Sequence, residues 1–235
     1  MIGIDASAGL GTDGRLSLFN SGLIEGTGGT AIRAGGEGGS FRFVGDSEVV
    51  GDVVLSGVRS DFTSNQVDLG GSIDGDLLLA DGSDFVRVDN LRLLMGDVRF
   101  FGGDDVLSLD SFLRDAPIDG FVGGGDGALF DLGEGTDLIR LGRQDADAGF
   151  ATTDVAGVVL SDAFARAATI TLVDGDTTTM LRFAGAERFA FRDGELSFDA
   201  LLALAGIDAE VPLPAAAWLF GGAMGLGGLV RRGRR

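Results

Sequence analysis

Gly82-Ser-Asp84-Phe-Val86-Arg-Val88, Gly103-Asp-Asp105-Val-Leu107-Ser-Leu109 and Gly135-Thr-Asp137-Leu-Ile139-Arg-Leu141 are three copies of one phrase. Each opens on Gly-x-Asp and continues with apolar residues that alternate by two, the period of a β-strand. The alternation predicts Val86, Val88, Leu107, Leu109, Ile139 and Leu141 facing inward, and Arg87, Ser108 and Arg140 facing water. Gly127-Ala128-Leu-Phe130-Asp-Leu132 reads as a degenerate copy with Ala in place of Asp.

A second phrase precedes some copies: Gly51-Asp52-Val-Val-Leu55, Gly75-Asp76-Leu-Leu-Leu79 and Gly96-Asp97-Val-Arg-Phe100. Gly51, Gly75 and Gly96 are spaced by 24 and then 21 residues, the range of solenoid repeats. Asn20-Ser-Gly-Leu-Ile24 through Ile32 fits one more rung. Gly-Asp and Gly-Gly pairs between the apolar runs are turn chemistry. One rung cannot bury its apolar face alone, whereas stacked rungs can. The expected fold class is therefore all-β, a parallel β-helix or β-roll solenoid, with a small C-terminal cap and a C-terminal transmembrane helix. A β-sandwich or barrel is the structural alternative.

Residues 1–142 are assigned to the solenoid repeats, whose rungs begin near residue 15. Residues 143–207 are assigned to a closing unit. It has expected strands at Ala168–Val173 and Thr179–Phe183, an Asp193-Gly194 turn, and a short helix capped by Ser197 that runs through Leu204 and stops at Gly206. Residues 208–235 form the tail.

Composition narrows the function. The chain has 42 Gly but only 3 Pro, and 45% hydrophobic residues, which suits a packed fold rich in tight turns and rules out collagen-like or disordered character. The net charge is −18, and without the four terminal arginines it is −22. Such an acidic body repels nucleic acid and anionic lipid, so no nucleic-acid partner is expected. The absence of Cys and His removes the usual zinc sites, thiol nucleophiles, imidazole acid–base chemistry and any disulfide framework. Glutamates are few and scattered, and the Asp clusters already have turn explanations, so no catalytic residues are assigned and the chain is not expected to be an enzyme.

The tail reads Val211-Pro212-Leu213-Pro214-Ala215-Ala-Ala-Trp218-Leu-Phe220, then an uncharged Gly-rich apolar run to Val230, then Arg231, Arg232, Arg234 and Arg235. The run from Ala215 would make a helix of roughly 24 Å, and from Val211 about 30 Å, enough to span a bilayer. The arginines would hold the cytoplasmic side. This tripartite tail, about a tenth of the chain, resembles the VPLPA form of the PEP-CTERM sorting signals of Gram-negative bacteria. The resemblance implies processing near Pro212 and Pro214 by an exosortase, a membrane-embedded transpeptidase-like enzyme. It also implies an exported protein that passes through an inner-membrane intermediate to the cell surface or the extracellular space, with exopolysaccharide or other surface components as candidate partners. Met1–Leu10 has neither a basic nor an apolar leader region, so further residues are expected upstream.

The body resembles glycine-rich β-helical surface proteins, and residues 143–207 resemble the unit that closes RTX-type β-rolls. Leu132–Arg140 keeps Gly133, Gly135, Asp137 and Ile139 of an RTX nonapeptide, and Gly123–Asp131 is a weaker copy that carries Asp126. Gly133, Gly135, Asp126 and Asp137 are therefore the candidate calcium ligands. Asp104 with Asp105, and Asp81 with Asp84, could add to them. Calcium needs six to eight oxygens, and turn formation is the competing explanation for the same aspartates. The functional expectation is an exported surface or matrix protein with a structural or adhesive role. The alternative is a secreted RTX-like calcium-binding module held by a plain membrane anchor.

Overall fold

The computed structural model describes residues 4–6, 16–45, 47–57, 64–88, 96–109, 120–122, 127–143 and 148–207. The early strands are β1 (Ile4–Ala6), β2 (Leu16–Asn20), β3 (Leu23–Ala34), β4 (Gly39–Phe43), β5 (Glu48–Leu55), β6 (Asn65–Leu69), β7 (Ser72–Asp74) and β8 (Leu77–Leu78). The middle ones are β9 (Phe85–Val88), β10 (Val98–Arg99), β11 (Val106–Ser108), β12 (Gly120–Phe121), β13 (Leu129–Asp131), β14 (Leu138–Arg140), β15 (Gly142–Arg143) and β16 (Ala148–Gly149). The chain then forms β17 (Val155–Asp162), β18 (Ala167–Asp174), β19 (Thr177–Ala184), β20 (Arg188–Phe191), β21 (Gly194–Ser197) and the helix α1 (Phe198–Leu204).

Two large sheets hold almost all of these strands. The first runs β1-β3-β5-β8-β10-β13-β19-β18-β17, with β7 beside β5 and β12 beside β19; the second runs β2-β4-β6-β9-β11-β14-β20-β21. The chain alternates between the sheets, so neighbours within each sheet are one circuit apart in sequence. Pairing is parallel as far as β19 in the first sheet and β20 in the second. Beyond them β17–β18, β18–β19 and β20–β21 pair antiparallel.

Registers put like on like. Ile32, Val53, Leu77, Val98, Phe130 and Phe183 form one inward row, and Phe41, Val67, Val86, Leu107, Ile139 and Phe189 form its counterpart on the other sheet. All twelve are buried. At strand spacings of about 4.8 Å, each side chain covers the one below, which is how single rungs too thin to have a core acquire one. The rows end on larger rings: Phe183 packs edge-on against Phe189 at 5.0 Å and against Phe198 of α1 at 6.2 Å.

The glycine spacing has a steric origin. A Cβ on Gly75 would meet the Gly51 backbone, and one on Gly96 would meet the Gly75 backbone. The rungs approach there too closely for any side chain. Gly51, at φ 113°, is also in the region that favours glycine. At the C-terminal end Ser197 caps α1, its Oγ accepting the Ala200 N–H at 3.2 Å, and Gly206 follows at φ 72°, as the sequence predicted.

Three expectations are corrected. The fold-class expectation of a parallel solenoid ending in a transmembrane helix does not hold, although the all-β part fits. The sheets are mixed, because hairpins reverse the chain where a last parallel strand would leave an unpaired edge. No helix among the described residues is long and apolar enough to cross a membrane. The only α-helix among them, α1, has 7 residues and turns Phe198, Leu201 and Leu202 into the protein core. Residues 211–235, where the span was expected, lie outside the described residues. Second, Gly127–Leu132 is not a copy of the Gly-x-Asp phrase: Phe130 pairs with Val98 in the first sheet, so it belongs to the other side of the circuit. Third, Ser108 is buried despite its outward alternation, whereas Arg87 and Arg140 are half-buried.

Shortening a member of the inward row removes contacts to the rungs above and below. Phe130→Ala is expected to cost about 3–5 kcal/mol, read as a lower urea midpoint. Val159→Ala, at a position 67% exposed, is expected to stay within about 0.5 kcal/mol of wild type.

Candidate functional site

The aspartates of the Gly-x-Asp phrase are not at the surface. Asp84, Asp105 and Asp137 are 2%, 0% and 0% exposed. They stack at the turn that enters each strand of the second sheet, in line with Asn65 below and Glu187 above. In each rung the ladder residue's backbone carbonyl accepts from the next rung: Val106 N–H to Asp84 O, Leu138 N–H to Asp105 O and Arg188 N–H to Asp137 O, at 2.9–3.0 Å. Its amide has no such strand partner and donates to a side chain instead. The Asn65 amide donates to Asp84 Oδ1 at 2.7 Å, the Asp84 amide to Asp105 Oδ1 at 2.7 Å, and the Asp105 amide to Asp137 Oδ1 at 2.8 Å. The Asp137 amide donates to Glu187 Oε2 at 2.7 Å. Every rung thus satisfies a buried backbone donor of the rung before it.

A second ladder supports the first sheet. The Asp76 amide donates to Asp52 Oδ1 at 3.0 Å, the Asp97 amide to Asp76 Oδ1 at 2.9 Å, and the Leu129 amide to Asp97 Oδ1 at 3.0 Å. A third, exposed step joins the Thr136 amide to Asp104 Oδ1 at 3.0 Å.

The buried ladder carries an electrostatic load. One oxygen of each carboxyl is engaged, but Oδ2 of Asp84, Asp105 and Asp137 is buried and has no hydrogen-bond partner. Burial pushes Asp84 up to about 7, against the stabilising hydrogen bonds from Asn65. Burial likewise raises Asp105 to about 8, helped by the like charges of Asp84 and Asp137. Burial and the neighbouring Glu187 raise Asp137 to about 7. Asn65 holds the same position in the lowest of these rungs with a neutral carboxamide, whose Nδ2 donates to Gly57 O at 3.1 Å and to Asp84 Oδ1 at 3.0 Å.

The top of the ladder opens on a cleft of about 390 Å³. Its walls include Gly133, Glu134, Gly185 and Glu187 from the stacked turns and Phe164 and Arg166 from the β17–β18 hairpin. Glu187 joins the two features. Its Oε2 takes the Asp137 amide and its Oε1 forms an ion pair with Arg166.

Of the predicted calcium ligands, Gly135 is adjacent to the Asp137 carboxylate, whose Oδ1 is 3.2 Å from where a Cβ on Gly135 would sit. Asp137 is committed to the ladder; Gly133 and Gly135 line the cleft; Asp126 lies outside the described residues. Among the described residues, no group of three or more carboxylates converges on a point where a metal could sit. Asp104 and Asp105 act in different ladders, and Asp84 is buried while Asp81 is at the surface. The sorting residues Val211–Ala215 and the arginines Arg231, Arg232, Arg234 and Arg235 lie outside the described residues. Sequence reading missed the cleft, because Phe164 and Arg166 sit in a hairpin with no recurring phrase. No protein-family profile, curated protein or solved structure matches this chain.

The ladder dictates a pH dependence. A carboxyl whose folded pKa is raised binds its proton more tightly when folded, so its contribution is complete below the ordinary carboxylate range and is lost as pH rises through the folded value. Stability is expected to fall from about pH 4, where an ordinary carboxyl ionises, to about pH 8 through Asp84, Asp105 and Asp137. Asp105→Asn keeps an oxygen for the Asp84 amide and carries no charge. It is expected to flatten that fall and to be more stable than wild type at pH 9, on the order of 1–3 kcal/mol. Denaturant titrations at stepped pH measure both effects.

Proposed function

We propose that this chain is an exported structural or adhesive protein of the cell surface or extracellular matrix, sorted through its C-terminal signal and trimmed there by an exosortase. The observation that carries the reading is the tail, Val211-Pro212-Leu213-Pro214-Ala215 followed by Ala-Ala-Trp218-Leu-Phe220 and closed by Arg231–Arg235. Pro212 and Pro214 lack an N–H and push the residue before each out of the helical region. The sequence therefore leads to the expectation of an extended segment between body and tail, a shape that a processing enzyme can grip.

The body suits this role. It is held by stacked apolar rows and by carboxylate-to-amide bonds between rungs, with no Cys to oxidise. The whole chain's net charge of −18 disfavours contact with nucleic acid and anionic lipid. The acidic side chains have backbone partners to satisfy, and the reading assigns none of them a catalytic step. The partners are an exosortase during sorting, and exopolysaccharide or other surface components afterwards.

Mass spectrometry of the mature protein from its native host tests the reading. The expected C-terminus lies near Pro212–Ala215, and the protein is expected in the surface or medium fraction. Replacing Pro212 and Pro214 together by Ala is expected to leave an uncut form that stays with the inner-membrane fraction. A surface-located protein still ending at Arg235 would overturn the processing step.

A further inference from the structure

The cleft above the aspartate ladder has features that the solenoid itself does not require. Among the described residues, Phe101 and Arg166 are the only non-glycine residues at positive φ, 74° and 46°. Such strain persists only where something else fixes it, and it concentrates at binding sites. Both residues belong to this corner. The Phe101 carbonyl accepts the Glu134 N–H at 2.9 Å, so Phe101 lies one rung below Glu134 of the cleft wall. The position above it in the stack is Gly133, also left-handed at φ 83°. A glycine would relieve the backbone at 101, and the ring gains little burial, since Phe101 is 51% exposed. Neither packing nor backbone geometry asks for phenylalanine there.

Phe164, 77% exposed, is the second ring. Its hairpin tip is fixed: Asp162 Oδ1 accepts the amides of Phe164 and Ala165 at 2.8 and 3.2 Å, the Ala165 carbonyl accepts the Gly185 N–H at 3.0 Å, and Arg166 is tied to Glu187. The ring is held out into water by a rigid mount. Glu134, which is exposed, lines the cleft together with Phe164, and its amide bonds the Phe101 carbonyl one rung below. Both oxygens of Glu187 are occupied, one by Arg166 and one by the Asp137 amide.

These groups select a ligand class. Exposed aromatic faces offer area to a flat ring with an apolar face. A single free carboxylate offers hydrogen-bond acceptance without the convergent charge that a cationic chain needs. The cation of the cleft is already paired, and Glu134 and Glu187 in its walls repel an anion. The volume falls within the roughly 300–1,000 Å³ of small-ligand clefts. We propose that this cleft binds a neutral saccharide chain, with Phe101 and Phe164 against the C–H faces of the sugar rings and Glu134 accepting from hydroxyls. The inference rests on the surface-matrix reading only in that such a chain must be within reach of the protein.

Calorimetry on the purified full chain tests it, with the neutral hexasaccharides of cellulose, laminarin, xylan and mannan, a hexagalacturonate and an octa-arginine peptide as probes. Saturable binding of at least one neutral hexasaccharide, and at least tenfold weaker binding of the other two probes, is expected. Phe164→Ala and Phe101→Gly are each expected to weaken that binding at least tenfold, with the melting temperature of Phe101→Gly unchanged or raised. Phe19→Ala, an exposed ring elsewhere, is expected to bind as wild type. No binding of any neutral probe, equal or tighter binding of the uronate or the peptide, or wild-type affinity in both cleft variants overturns the proposal. Purified protein binds or fails to bind whether or not its tail is cut in the host, so this result is independent of the test of processing and export.

Discussion

The hydrogen bond from a rung's buried amide to the carboxylate of the next rung, repeated through Asn65, Asp84, Asp105, Asp137 and Glu187, sets the register on which the rest of the structure depends. A strand of two to four residues carries too few ladder bonds to hold its own position, and a slip of one residue would turn its apolar side chains outward. The carboxylate fixes the entry of each short strand. Val86, Leu107 and Ile139 then fall on one another and not on Arg87, Ser108 or Arg140. A buried N–H left unpaired costs more than most single contacts contribute, so the constraint is strict.

That solution brings its own cost. Stacking one carboxyl per rung places like charges in line, away from water, with one oxygen of each unpaired. The fold tolerates this because the proton is available: each carboxyl can become neutral at a pH where an exposed one stays ionised. Asn65 avoids the problem with a carboxamide, and Glu187 avoids it at the other end by reaching Arg166 at the surface. The second ladder, Asp52, Asp76 and Asp97, lies nearer to water and runs in the opposite sense, each carboxylate accepting from the amide of the following rung.

The C-terminal end combines closure and recognition. Antiparallel hairpins finish both sheets, aromatic rings seal the core, and α1 covers them. The β17–β18 hairpin that closes the first sheet also overhangs the top of the ladder, and the overhang makes the cleft. A structural element needed to cover an edge thus becomes the wall of a site, and the strained backbone at Phe101 and Arg166 is concentrated there.

Much of this was written in local sequence. The period of two named the inward residues Val86, Val88, Leu107, Leu109, Ile139 and Leu141, because a strand puts alternate side chains on opposite faces whatever its partners. The spacing of Gly51, Gly75 and Gly96 named the stacked positions, because close backbone approach admits no Cβ. Ser197 and Gly206 marked the ends of a helix through bonds made within one turn. What sequence could not reach was partnership across 19 to 50 residues. Asp137 reads as a turn former or a calcium ligand, and only the tertiary structure shows its Oδ1 on the Asp105 amide, 32 residues away. Gly127–Leu132 reads as a Gly-x-Asp relative until Phe130 is seen beside Val98. The switch from parallel to antiparallel pairing, and the meeting of Phe164 and Arg166 with Glu134 and Glu187, arise only when the chain has closed its last circuit. Sheet order and corner contacts are properties of packing between distant segments, and no local period encodes them.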